Sequence, residues 1–137
     1  MDTLNRITQI IDKYESSIRS QDIEGLIVLR DHLAINSYRL AQEAAELKKD
    51  YNSTYFIRKI SVNKSTQGII GEKKLPMNKA TLEATIANED IYKQEQELES
   101  AAYQLDLLLR QSNKVLEAMS QRISYLKTER ENAHKGV

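Results

Sequence analysis

Residues 91–126 read IYKQEQELESAAYQLDLLLRQSNKVLEAMSQRISYL, and their spacing decides the fold. Ile91, Glu95, Leu98, Ala102, Leu105, Leu109, Ser112, Leu116, Met119, Ile123 and Leu126 recur at alternating intervals of four and three residues. An average period of 3.5 keeps one stripe facing a partner helix over many turns, so a coiled-coil helix is expected. Glu95 is a charged residue in that stripe, a type that sets register or oligomer number more readily than it does chemistry. The helix is predicted to start just after Pro76, with Asn78 as its cap. A run from Asn78 to Glu131 is about 80 Å long at 1.5 Å per residue.

Upstream, a second helix is predicted from about Ile23 to Val62. Leu26, Leu33, Leu40 and Leu47 recur every seven residues, Ser37, Ala44 and Tyr51 interleave with them, and Tyr55 extends the face. At the N-terminus, Leu4, Ile7, Ile11, Tyr14 and Ile18 form a narrow amphipathic stripe. This gives an N-terminal helix over 1–20, ending near SQDIEG, where Ser20 or Asp22 can cap the next helix. The expected fold is therefore all-α: a short N-terminal helix, then a long antiparallel helical hairpin over 21–137 with a basic connection at 58–79. Residues 64–76 are expected to be irregular.

Two paired helices bury only a thin core. The N-terminal stripe has no obvious partner within the chain. Both considerations predict a homo-oligomer held by Leu4, Ile7 and Ile11 together with Leu105, Leu109, Leu116, Met119, Ile123 and Leu126. The alternative is a monomeric three-helix bundle in which the N-terminal helix covers the groove.

The 137 residues correspond to about one domain and contain no cysteine, so neither a disulfide framework nor a thiolate site is expected. His32 and His134 lie far apart in sequence, and no metal or cofactor motif is present. The carboxylates of the third helix read as a solvated face, so no enzyme is predicted. No apolar run approaches the roughly 18 residues of a membrane span. The reading is a soluble, cytoplasmic protein without a membrane partner.

Charge is sorted along the chain. Residues 55–79, YFIRKISVNKSTQGIIGEKKLPMNK, hold six basic residues (Arg58, Lys59, Lys64, Lys73, Lys74, Lys79) against one acid, Glu72. Residues 81–109 hold seven acids and one base, although the whole chain has zero formal net charge. A neutral chain binds polyanions when one patch concentrates positive potential. Lysines neutralise phosphates, and Tyr55 and Phe56 offer faces on which unpaired bases stack. Lys48 and Lys49 stand just upstream. None of Arg58, Lys59, Lys73 and Lys74 falls on the apolar seam read from the heptads. The expected ligand is single-stranded nucleic acid.

The C-terminal stretch KVLEAMSQRISYLKTERENAHKGV resembles the C-terminal helix of the UvsY family, the recombination mediators of T4-like bacteriophages. The resemblance is carried by Val115, Leu116, Glu117, Ala118 and Met119, followed by Arg122 and Lys127, and by the apolar run Leu107 to Arg110. TYFIRK, Thr54 to Lys59, is similar to the family's aromatic pair followed by a basic residue. Asp50 and Asn52 stand where the family carries basic residues. The resemblance implies a non-enzymatic, ring-forming protein that binds single-stranded DNA. Its implied role is in DNA recombination, repair and replication, helping to load a RecA-like recombinase onto DNA covered by single-strand-binding protein. The cell would be the phage's host. The alternative is a coiled-coil adaptor or phage assembly protein without nucleic-acid binding.

Overall fold

The computed structural model describes residues 2–17 and 22–136. The proposed seam residue Ile18 and the proposed cap Ser20 lie outside the described residues. Four helices follow one another: α1 (Thr3–Ser16), α2 (Ile23–Lys73), α3 (Met77–Ala87) and α4 (Glu89–Lys135). No strand occurs among the described residues. No helix is long and apolar enough to cross a membrane. The chain divides into two units, Met1–Glu43 with Leu105–Val137, and Ala44–Gln104. The sequence reading of one hairpin over 21–137 does not have these boundaries.

In the first unit α1, the first part of α2 and the last part of α4 pack around one apolar core. Ile7 and Tyr14 come from α1, Ile23, Leu26, Leu33 and Leu40 from α2, and Met119, Ile123 and Leu126 from α4. Ile11, Leu105, Leu109 and Leu116 are partly buried against it. The stripe of α1 therefore has a partner within the chain, contrary to expectation. Among the described residues of that stripe, Leu4 alone stays largely exposed, at 43 %. The three-helix packing of the alternative reading describes this unit.

Local signals start each helix. The Asp2 carboxylate accepts the Asn5 backbone N–H at 2.8 Å and caps α1. Thr3 Oγ1 donates to Glu43 Oε1 at 2.6 Å, tying the start of α1 to α2. Asp22, one of the two proposed caps, accepts the Gly25 N–H at 3.1 Å and starts α2. A Cβ at Gly25 would collide with that carboxylate, so the glycine belongs to the cap.

The second unit holds the main departures from the sequence reading. The expected irregular stretch 64–76 is helical through Lys73, and the connection shrinks to residues 74–76. Val62 and Thr66 are buried on one face of α2, and Ala80 and Ala84 are fully buried on α3. Helix–helix contact on these small side chains outweighs the roughly 1 kcal/mol that each interior glycine costs relative to alanine. Lys74 ends α2 in the left-handed conformation, φ 54°, with its N–H on Ile70 O at 3.1 Å. That position usually takes glycine.

The expected start after Pro76 stands, but Asn78 does not cap α3. Pro76 occupies the cap without a side-chain bond, and Asn78 Oδ1 accepts its neighbour's N–H, that of Lys79. The expected third helix is interrupted at Asn88. Its Nδ2 donates to Ala84 O at 2.7 Å and to Ser65 Oγ at 3.2 Å, drawing the chain out of a regular helix.

Leu33→Ala should cost about 2–5 kcal/mol, because Leu33 is fully enclosed by the first unit's core. An added Cβ at Gly71 meets nothing within 4 Å. Gly71→Ala should therefore raise stability by about 0.5–1 kcal/mol. Urea unfolding of both variants checks the two signs.

Candidate nucleic-acid interface

Every residue proposed for nucleic-acid contact lies in the second unit. The structure does not gather them at an irregular tip. It strings them along α2 and onto α3. From Lys48 to Lys73 the helix rises about 38 Å at 1.5 Å per residue.

Arg58 departs furthest from expectation. It lies on the α2 seam, and its side chain is only 17 % exposed. Its Nε donates to Glu95 Oε2 at 2.6 Å and its Nη2 to Glu95 Oε1 at 3.0 Å. This two-pronged fit matches a planar guanidinium to a carboxylate. Hydrogen bonding to Glu95, against the opposing effect of burial, holds the guanidinium above its ordinary pKa range. The Arg58 Cζ also lies 4.9 Å from the Tyr55 ring centre and 4.8 Å from that of Tyr92. Arg58 is thus engaged inside the unit, and its charge is not on offer to a strand.

The aromatic pair is held through this arginine. Tyr55 is partly buried, with the Lys59 Nζ 4.7 Å from its ring centre as well. Tyr51 packs on Tyr55 at 6.4 Å, and Phe56 meets it edge-on at 5.8 Å. Phe56 itself is 63 % exposed and is the aromatic face open to a ligand here. Lys48, Lys49, Lys59 and Lys64 are exposed and make no ion pair among the described residues. Lys73 pairs with Glu83 at 3.2 Å, an exposed contact that salt screens. Lys74 forms the turn, and Lys79 is exposed on α3.

Lys49, Ser53, Phe56, Ile60, Lys64 and Gln67 follow intervals of four and three along α2, one stripe on the face away from Arg58. All six are exposed. Ile57 and Ile60 add apolar surface to it, exposed by 56 % and 54 %. These isoleucines and Tyr92 were missed in the sequence. For Ile60 the signal was a second pattern of fours and threes running through the same residues as the basic cluster.

Among the described residues no three His, Cys, Asp or Glu side chains stand together as a metal-ligand set. Comparison with known proteins finds no matching family model, no matching curated protein and no matching solved structure.

Removing one partner of the buried pair leaves the other charge uncompensated. Arg58→Ala or Glu95→Ala should cost about 3–5 kcal/mol. Replacing both by apolar side chains of similar size should restore most of it. A double-mutant cycle in urea checks the coupling.

Proposed function

We propose that this protein binds single-stranded nucleic acid along the outer face of α2, without being an enzyme. One observation carries the reading. Phe56 stands exposed on a helix face shared with Lys49 and Lys64, beside Lys48 and Lys59, and none of these lysines is neutralised by an ion pair among the described residues. The lysines hold phosphates and release counterions, and Phe56 stacks a base.

The resemblance to phage recombination mediators gives this binding its role. Such a protein holds one strand extended for a RecA-like recombinase while single-strand-binding protein is displaced. Two architectural points belong to the same reading. Arg58 with Glu95, Ser65 with Asn88 and Lys73 with Glu83 converge in number on the connection at 74–76, which supports antiparallel pairing of the two arms. Self-association multiplies a weak stripe into a strong one by raising its effective concentration.

A coiled-coil adaptor is the second reading. It is favoured by Ile57 and Ile60, which suit a helical partner better than a phosphate chain.

Anisotropy of a labelled oligonucleotide at two salt concentrations separates the two. Replacing Lys49, Lys59 and Lys64 by Ala should flatten the log–log salt slope by about 2, at roughly 0.7 per phosphate contact. Phe56→Ala should cost about 1–3 kcal/mol of binding with little change in slope. Arg130→Ala with Lys135→Ala should leave both unchanged. An intact chain that fails to bind even at low salt leaves the adaptor reading standing.

A further inference from the structure

The second unit is closed by a handful of specific contacts across a short connection. Its buried apolar side chains among the described residues are Val62, Ala80 and Ala84, whereas nine buried side chains build the core of the first unit. Its specific attachments are Arg58 with Glu95, Ser65 with Asn88 and Lys73 with Glu83. Each joins a residue before the connection to one after it. An identical chain offers the same residues in the same order, so a second copy reproduces every attachment without loss.

The closed and exchanged forms differ at the connection. Lys74 has the one positive φ found at a non-glycine residue among those described, 54°. There its Cβ crowds the following carbonyl. Leu75 precedes Pro76, which disfavours helical backbone at Leu75. A glycine takes the left-handed conformation without that crowding, but the nearest one, Gly71, sits three residues earlier, inside α2 and not at the turn. Opening residues 74–76 frees Lys74 from its conformation, and Pro76 keeps the opened segment extended. Short connections under strain favour exchange between copies.

We propose that two copies of this chain exchange everything after the connection, so that α3 and α4 of one copy pack on α1 and α2 of the other through the same Arg58–Glu95 fork. This rests on the self-association reading above and names its partner surface: the buried seam and not the exposed stripe.

The buried fork supplies the test. One chain carries Arg58→Glu and another Glu95→Arg. Each alone sets like charges face to face in any closed form. In an exchanged pair of the two, position 58 of each chain meets an opposite charge at position 95 of the other, twice over. The two chains, one of them tagged, are unfolded together and refolded at equal concentration. The expected result is recovery of helicity and thermal midpoint together with a mixed dimer by mass. A mixture that behaves as the sum of its separate chains overturns the proposal.

Lys74→Gly gives a second measurement on a position whose substitution leaves the core intact. It relieves the crowded turn of each closed copy, two for every dimer formed, and should weaken the dimer by about thirtyfold. An unchanged dimer constant also overturns the exchange. If the intact chain self-associates while both tests fail, self-association stands and exchange falls. If intact chain and mixture are both monomeric at tens of micromolar, both fall.

Discussion

A guanidinium and a carboxylate drawn out of water onto facing helices fix how α2 and α4 meet. The Arg58–Glu95 fork offers two short hydrogen bonds in one geometry. Shifting either helix by a turn would break this two-pronged fit. Such a buried pair adds little stability over apolar side chains of the same size, but it penalises every wrong register heavily. The surface above it follows. Tyr55 and Tyr92 lie against the guanidinium, and Tyr51 and Phe56 lie against Tyr55. The open ring of Phe56 is thus aimed by a contact that no ligand touches.

The two units are held by different physics. In the first, large aliphatic side chains from three helices fill one core, and volume decides. In the second, small side chains and polar pairs decide, and much apolar surface stays outside. Phe56, Ile57, Ile60, Met77, Leu82 and Ile86 are each more than half exposed. A unit with a sparse interior and an apolar exterior is suited to partners. Both the proposed strand and a second copy of the chain would act on it.

Helix positions were legible because period outranks propensity in long helices. The 4,3 stripe of residues 91–126 is at least partly buried at every position read from it, Glu95 and Ser112 included. Asp22 as a cap and Pro76 as a start were legible from residue type alone. The turn was not. Gly68 and Gly71 read as breakers, yet the packing of Val62, Thr66, Ala80 and Ala84 carries α2 past them, and tertiary contact is invisible to a local rule. The partner of α1 was hidden for the same reason. Arg58 could have been found: continuing the α2 seam from Tyr51 in steps of four and three reaches it, and a seam arginine calls for the seam glutamate already identified. The excess of basic residues in 55–79 is a signal of charge and carries none of register.

That excess also changes meaning once it is folded. Of the six basic residues in 55–79, Arg58 and Lys73 are neutralised by Glu95 and Glu83 within the unit. Of the other four, Lys59 and Lys64 lie on α2, Lys74 lies at the turn and Lys79 on α3, so the charge available on α2 is local. The exposed acids Glu89, Asp90, Glu97 and Glu99 belong to α4, which meets α2 on its opposite, seam-bearing face through Glu95. A helix is about 10–12 Å across, and the Debye length near physiological salt is about 8 Å. A strand on the outer face would feel its lysines at contact distance and the acids of α4 only through more than one screening length. At low salt the acids reach further and oppose binding, while at high salt the lysine contacts weaken. The sorted charges would thus hold the strand to one face of one helix, which an evenly basic surface would not do.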